Sequence, residues 1–190
     1  VIWEFGLCAA TSYVFGLANT ASNTSDITKR VIFFSRNQID IVFNVLSTVP
    51  FTFNFICSIL AIIHAQNNDY SRAKIFTILI YSTWTIYCIV MAIITAYFGI
   101  SSLKVFKIHL KNQLGVSNPS VSNIKSSIMR MKVIASVLTC NYMAYAGVAT
   151  TYTVGRDKMM VNTTFNIIEC FICHFFATAS CTFILTALIF

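Results

Sequence analysis

The sequence predicts an all-α fold: a polytopic helical membrane protein with one transmembrane domain over residues 1–190 and five transmembrane helices. Composition is the first reason, because 57% of the residues are hydrophobic and only 10% are charged, with a mean hydropathy of +0.75. A soluble domain has about a quarter charged residues, so we expect lipid to surround most of this chain. The second reason is that long apolar runs alternate with short charged stretches.

The apolar runs give the boundaries of the five spans. They cover about residues 2–17, 39–65, 75–103, 131–154 and 164–190. About 20 helical residues cross a bilayer, so the first span is rather short and has Glu4 near its start. Its small residues would allow a neighbouring helix to approach closely.

The second span carries a proline and a polar stripe. Pro50 is expected to kink the helix. The stripe residues recur at spacings of three and four, which predicts one helical face: Asn44, Ser47, Thr48, Phe51, Asn54 and Ser58. Because a polar group in lipid needs a hydrogen-bonding partner, we expect this face to contact other helices.

The third span contains no charged residue, and Tyr97 near its basic end is typical of an interfacial anchor. We expect its helix to continue out of the membrane through Lys111 and to end before Gly115. The fourth span is expected to end at a short charged loop over residues 155–158. The fifth span then carries a stripe of polar or small residues that begins with Asn166 and Glu169.

A basic loop on the cytoplasmic side, about residues 104–130, separates the third and fourth spans. The loop and its flanks carry six basic residues and no acid: Lys104, Lys107, Lys111, Lys125, Arg130 and Lys132. Such a surface sets the orientation during insertion, and it also suits an anionic lipid or a partner protein.

The distribution of basic residues predicts the orientation of the chain. The connectors over 18–37 and 103–132 together carry nine Lys and Arg, whereas the loops over 66–74 and 154–161 carry four. Because basic loops stay on the cytoplasmic side, the N-terminus is predicted outside and the C-terminus on the cytoplasmic, matrix or stromal side. The plasma membrane, an endomembrane and an organellar inner membrane all stay open.

Glu169 is the one acid well inside a predicted span. A carboxyl group within a membrane is costly, so it is either hydrogen-bonded between helices or used for a proton, an ion or a ligand. We expect Asn141 and Asn166 to be its partners.

The fifth span also matches the C-x-x-C-H pattern of covalent haem attachment at Cys170, Cys173 and His174. Attachment needs an accessible segment, and this motif lies in an apolar helix. We therefore expect these residues to act in packing and hydrogen bonding, and we expect no cofactor.

The sequence contains little that indicates catalysis, metal binding or nucleic-acid binding. It has no phosphate-binding glycine loop, no nucleophile motif and no paired carboxylates, so we expect no enzyme. The three histidines are far apart, and no histidine or carboxylate lies three or four residues from another, so no metal site is expected. The net charge of +7 comes from membrane-flanking segments, which argues against nucleic acid as a partner.

A set of loosely spaced residues around the basic loop resembles the last three helices of some seven-helix, receptor-like proteins. In order they are Tyr97, Phe98, Gly99, Leu103, Lys107, Arg130, Lys132, Val133 and Cys140. The similarity is greatest to the tobamovirus multiplication protein family, and Asn166 and Glu169 are similar to the acidic site in its last helix. The resemblance covers about residues 90–190 and implies that the five spans are helices three to seven of a seven-helix bundle.

The chain departs from rhodopsin-like receptors, since it has neither a D-R-Y-like triad after the first span nor N-P-x-x-Y in the last. The resemblance therefore implies a receptor-like or scaffolding protein. An alternative is an accessory subunit of a large membrane complex, for instance a respiratory or photosynthetic one, that packs against other subunits and lipid. A third hypothesis is a fragment of a transporter or channel that uses Glu169.

Overall fold

The computed structural model describes residues 36–113, 120–159 and 162–189, together with Ser12, Phe15 and Gly16. Four helices follow one another in these ranges: α1 (Arg36–Gln66), α2 (Tyr70–Gln113), α3 (Ser120–Met159) and α4 (Thr163–Ile189). They correspond to the predicted second, third, fourth and fifth spans. The predicted all-helical fold class is therefore confirmed for this part of the chain.

Three helical segments are long and apolar enough to cross a membrane: Asn37–Gln66, Tyr70–Val105 and Ile128–Asp157. They support an integral membrane protein. The count of five spans stays a prediction, because most of the first span lies outside the described residues and α4 is not among the three segments.

A three-residue turn joins α1 to α2. Asn68 takes the left-handed backbone conformation, with φ of 58°, which asparagine tolerates better than most residues. Asp69 then caps α2, because its carboxylate accepts a hydrogen bond of 3.3 Å from the backbone nitrogen of Arg72. The predicted loop over residues 66–74 is thus too long, since both helices continue up to this turn.

The predicted basic loop is also shorter than expected. α2 continues to Gln113, in agreement with the expected extension through Lys111, but α3 already begins at Ser120 rather than near residue 131. Pro119 directly precedes Ser120, and proline favours the start of a helix. The error arose because hydropathy marks where the membrane ends, whereas a helix can continue into water.

The expected charged loop over residues 155–158 is helical as well. Arg156 and Asp157 lie in the last turns of α3, which ends at Met159. The next helix begins with a cap, because the side-chain oxygen of Asn162 accepts a hydrogen bond of 3.1 Å from the backbone nitrogen of Thr164. The connection between α3 and α4 is therefore confined to residues 160–162.

The most extensive interface joins α2 to α3, which run antiparallel. A Cβ atom built on Gly99 of α2 would lie only 2.7 Å from the Cβ atom of Ala135 on α3. Nearer the other end of the interface, Tyr81 and Tyr152 stack with ring centroids 5.0 Å apart. Small residues allow such close approach, and in membranes close packing replaces hydrophobic burial as the main attraction between helices.

The core lies around the middle of α2 and includes one residue from the first predicted span. Phe15 packs against Phe43 and Phe98, with ring centroids 5.2 and 6.2 Å away. Phe51 of α1 meets Trp84 edge-on at 5.3 Å. The buried members of this cluster are Phe15, Ile39, Tyr87, Cys88, Met91, Ala92, Phe98, Ile134, Leu138, Tyr142 and Ala146.

The helices differ in how much of their surface the bundle covers. In the most apolar part of each candidate span, 44% of the residues are buried in α2, compared with 28% in α3 and 11% in α1. α2 is therefore the central helix. α1 exposes a long apolar face to its surroundings: Ile41, Val45, Val49, Phe53, Phe55, Ile56, Ile59, Ile62 and Ile63.

Candidate functional site

Asn54 is the most deeply buried polar residue of α1. Its side chain is 1% exposed, and neither its amide nitrogen nor its amide oxygen has a hydrogen-bond partner in the described part of the chain. Nearly all buried side-chain polar groups in proteins are hydrogen-bonded, and an unpaired one costs about 1–3 kcal/mol. Both halves of this amide are thus available to a group that can donate and accept.

Thr95 of α2 differs from most threonines of the bundle. The hydroxyls of Thr77, Thr85 and Thr139, for example, donate to the carbonyl four residues earlier, at 2.8–2.9 Å. The Thr95 hydroxyl is buried, and within the described residues it has no partner. This difference could not be predicted from the sequence, because a threonine in a helix usually bonds to its own backbone.

Asn141 of α3 supplies a further unpaired oxygen near the same depth. Thr95 precedes Gly99 by four residues, and Asn141 follows Ala135 by six, in the same direction along the antiparallel pair. At about 1.5 Å per residue, they lie about 6 and 9 Å from the Gly99–Ala135 contact. The Asn141 oxygen is buried and unpartnered among the described residues.

Asn44 does not share the burial of Asn54, so the prediction that the whole stripe faces other helices is wrong. Asn44 and Thr48 are exposed, Ser47 is partly buried, and Asn54 is buried. The physical reason is helical geometry: ten residues at 100° per residue place Asn44 about 80° away from Asn54 around the helix. Asn44 therefore lies on the outward side of α1.

Ion pairs join the helices at one end of the bundle, which we call the Lys74 end. The ammonium of Lys74 on α2 forms a salt bridge with the carboxylate of Asp157 on α3. Asp69 contacts Arg72 at 3.2 Å and the imidazole of His64 at 3.5 Å. The His64 ring also stacks on Phe76, with ring centroids 5.5 Å apart, so this end is joined across α1, α2 and α3.

Basic residues lie at the opposite end, which we call the Lys104 end. Lys104 is five residues after Gly99 and Arg130 is five residues before Ala135, so both lie about 7.5 Å beyond the helix contact. Lys104 and Lys132 are exposed and Arg130 is partly buried. The side chains of Lys107, Lys111 and Lys125, also predicted for this surface, lie outside the described residues.

The two ends are separated by about the thickness of a bilayer. Lys74 and Lys104 are 30 residues apart on α2, or about 45 Å along a helix. A bilayer with its headgroups is about 40–45 Å thick. This length matches the distance between the two headgroup layers of a bilayer, and Thr95 and Asn141 lie between the two ends along their helices.

The fifth-span candidates lie on α4. Cys170 and His174 are exposed, and their spacing of four residues places them on one helical face. The side chains of Cys173, Asn166 and Glu169 lie outside the described residues, so the pairing of Glu169 with Asn141 and Asn166 stays a prediction. Within the described part of the chain, no group of three or more potential metal ligands comes together.

The described polar interior offers amides and hydroxyls. These groups both donate and accept hydrogen bonds, so this set suits the binding of a polar partner. Sequence reasoning found Asn54 and Asn141 but missed Thr95. In comparisons with known proteins, no family model, no curated protein and no solved structure matches the chain.

Proposed function

We propose that this chain is a non-enzymatic, multi-spanning membrane protein of the receptor-like or scaffolding kind. Its helix interior would hold a small polar ligand at Asn54, of which a buried water molecule is the smallest case. The carrying observation is the Asn54 amide, which is 1% exposed and unpaired on both its nitrogen and its oxygen among the described residues. A ligand that both donates and accepts hydrogen bonds would remove the free-energy cost of leaving this buried amide unpaired.

A mild-detergent purification with mass spectrometry of everything that travels with the chain tests this proposal. We expect the protein to run alone or as a small homo-oligomer and to carry a small polar compound. Asn54→Leu should release that compound, whereas Asn44→Leu, on the exposed side of the same helix, should retain it. Equal contents in the two variants would contradict a ligand at Asn54.

An accessory subunit of a membrane complex is the second candidate, and the outward face of α1 favours it. Asn44 lies about 10 Å from the start of the Asn37–Gln66 segment, exposed beside large apolar residues. An amide that faces lipid is costly, and a protein neighbour would supply its partner. On this hypothesis the chain runs in a large stoichiometric assembly, and Asn44→Leu weakens that assembly while Asn54→Leu does not.

The proposed orientation places the Lys104 end on the cytoplasmic, matrix or stromal side. The excess of nine basic residues over four supports it. A membrane-impermeant thiol reagent added from outside should label Asn67→Cys, in the turn between α1 and α2, but not Lys104→Cys. The reverse pattern would invert the proposed topology.

A further inference from the structure

A surface groove runs along α3 near the Lys104 end. It has a volume of about 340 Å³ and is lined by Met129, Lys132, Val133, Ser136 and Val137. These positions recur at three- and four-residue spacing, so they share one side of the helix. The face that packs into the core contains Ile134, Leu138 and Tyr142 instead, so the groove opens beside that interface.

Lys132 places a positive charge at headgroup depth. It precedes Ala135 by three residues, and it lies 25 residues, or about 38 Å, from Asp157 at the other end of the helix. Its side chain is exposed and forms no ion pair with any acid that the structure describes. An anion in the headgroup layer would be attracted to this charge.

The apolar part of the groove begins directly below that charge. Val133, Ser136 and Val137 lie about 1.5–7.5 Å deeper in the membrane than Lys132, because α3 runs from this end towards Asp157. Met129, the remaining lining residue, lies about 4.5 Å from Lys132 in the opposite direction, so the groove carries one cation from which an apolar channel runs towards Asp157. This order matches a phospholipid, whose charged headgroup lies above its acyl chain.

We propose that this groove is a binding site for one anionic phospholipid. The headgroup phosphate binds the Lys132 ammonium, and the first acyl chain lies along Val133 and Val137. Ser136, small and exposed between them, leaves room for the chain. The site rests on the membrane placement of α3 and holds equally for a receptor-like protein and for a complex subunit.

Native mass spectrometry of the purified full chain in detergent tests the site. The probes are phosphatidylglycerol and phosphatidylcholine with identical acyl chains, added separately. We expect the wild-type chain to bind phosphatidylglycerol more strongly, and Lys132→Gln to lower that preference about fivefold, as expected for about 1 kcal/mol per basic residue at a membrane surface. Lys132→Arg should keep it.

Two further variants separate this site from a diffuse basic surface. Lys104→Gln removes an exposed charge near the same depth on α2, away from the groove, and should keep the preference. Ser136→Phe fills the groove and should lower the occupancy of both lipids, whereas Met143→Phe, exposed about two turns deeper on α3, should not.

Three results would overturn the proposal. One is equal binding of the two lipids by the wild-type chain. Another is a loss in Lys104→Gln as large as that in Lys132→Gln, which would indicate a diffuse charge effect. The last is a co-purifying protein, rather than a lipid, that Ser136→Phe releases. Circular dichroism of each variant, with helicity equal to wild type, ensures that a folding defect is not read as lost binding.

Discussion

Substituting Gly99 by alanine should weaken the bundle at its closest helix contact. The added Cβ atom would lie 2.7 Å from the Cβ atom of Ala135, whereas two carbon atoms attract best at about 3.5–4.0 Å. The helices must therefore move apart by about 1 Å at this point or shift along each other. Overpacking of this kind costs about 1–3 kcal/mol.

The higher helix propensity of alanine acts in the opposite direction and must be subtracted from this steric cost. Alanine is the better helix former by about 0.5–1 kcal/mol, so the net loss for Gly99→Ala is about 0–2.5 kcal/mol. Gly147→Ala measures the helix-propensity gain alone, because a Cβ atom at Gly147 on α3 would meet nothing within 4 Å. The difference between the two variants isolates the steric cost of about 1–3 kcal/mol.

Thermal unfolding in detergent, followed by circular dichroism, measures this difference. In a chain of this length each kcal/mol corresponds to about 2–4 °C in Tm, so Gly99→Ala should melt about 2–12 °C below Gly147→Ala. Ala135→Gly in the Gly99→Ala background removes the opposing atom and should recover the steric loss, which a double-mutant cycle reports as coupling. Equal Tm values for the two alanine variants, or zero coupling, would refute the close contact.

Three further predictions concern the interior and the charged end. Asn54→Leu, measured by the same unfolding assay, should destabilise the chain if the amide binds a ligand or water, whereas a gain of about 1–3 kcal/mol would mean that the amide is unpaired. Asp157→Asn should lower Tm slightly at low salt and hardly at all at 1 M salt, and the exchanged pair Lys74→Asp with Asp157→Lys should recover the loss. Met91→Ala, at a fully buried position, should lower Tm by more than any surface substitution, because it leaves a cavity at the centre of α2; a neutral result would place Met91 outside the core.

The sequence predicted four of the helices because apolar runs in lipid must satisfy their own backbone hydrogen bonds. It did not predict that α3 begins well before the apolar run or that the charged residues after that run are helical. α3 begins at Ser120, since helix formation outside the membrane depends on local propensity and capping rather than on hydropathy. The close contact at Gly99 was also out of reach, because it depends on which residue of another helix lies opposite, and one sequence does not give that register.

Which polar residues are buried could be predicted only in part from their spacing in the sequence. Three- and four-residue spacing correctly assigned Asn54 to a buried face, but over ten residues the same spacing drifts by about 80°, which misplaced Asn44. Thr95 could not be distinguished from the other threonines, because what sets it apart is the direction of its hydroxyl and not its position. The spacing therefore does not show by itself which positions are buried, since Thr48, only six residues before Asn54, is exposed as well.

The two ends of the α2–α3 pair differ in whether their described lysines form ion pairs with acids of the chain, which a count of charges does not show. At the Lys74 end, Lys74, Arg72 and His64 all contact acids of the chain itself. At the Lys104 end, the exposed side chains of Lys104 and Lys132 form no ion pair with a described acid. Charges that are paired within the molecule attract external anions less, so external anions should bind at the Lys104 end. Lys104 and Lys132 are therefore charges of this end that stay available for an external anion, and the groove described above lies beside Lys132.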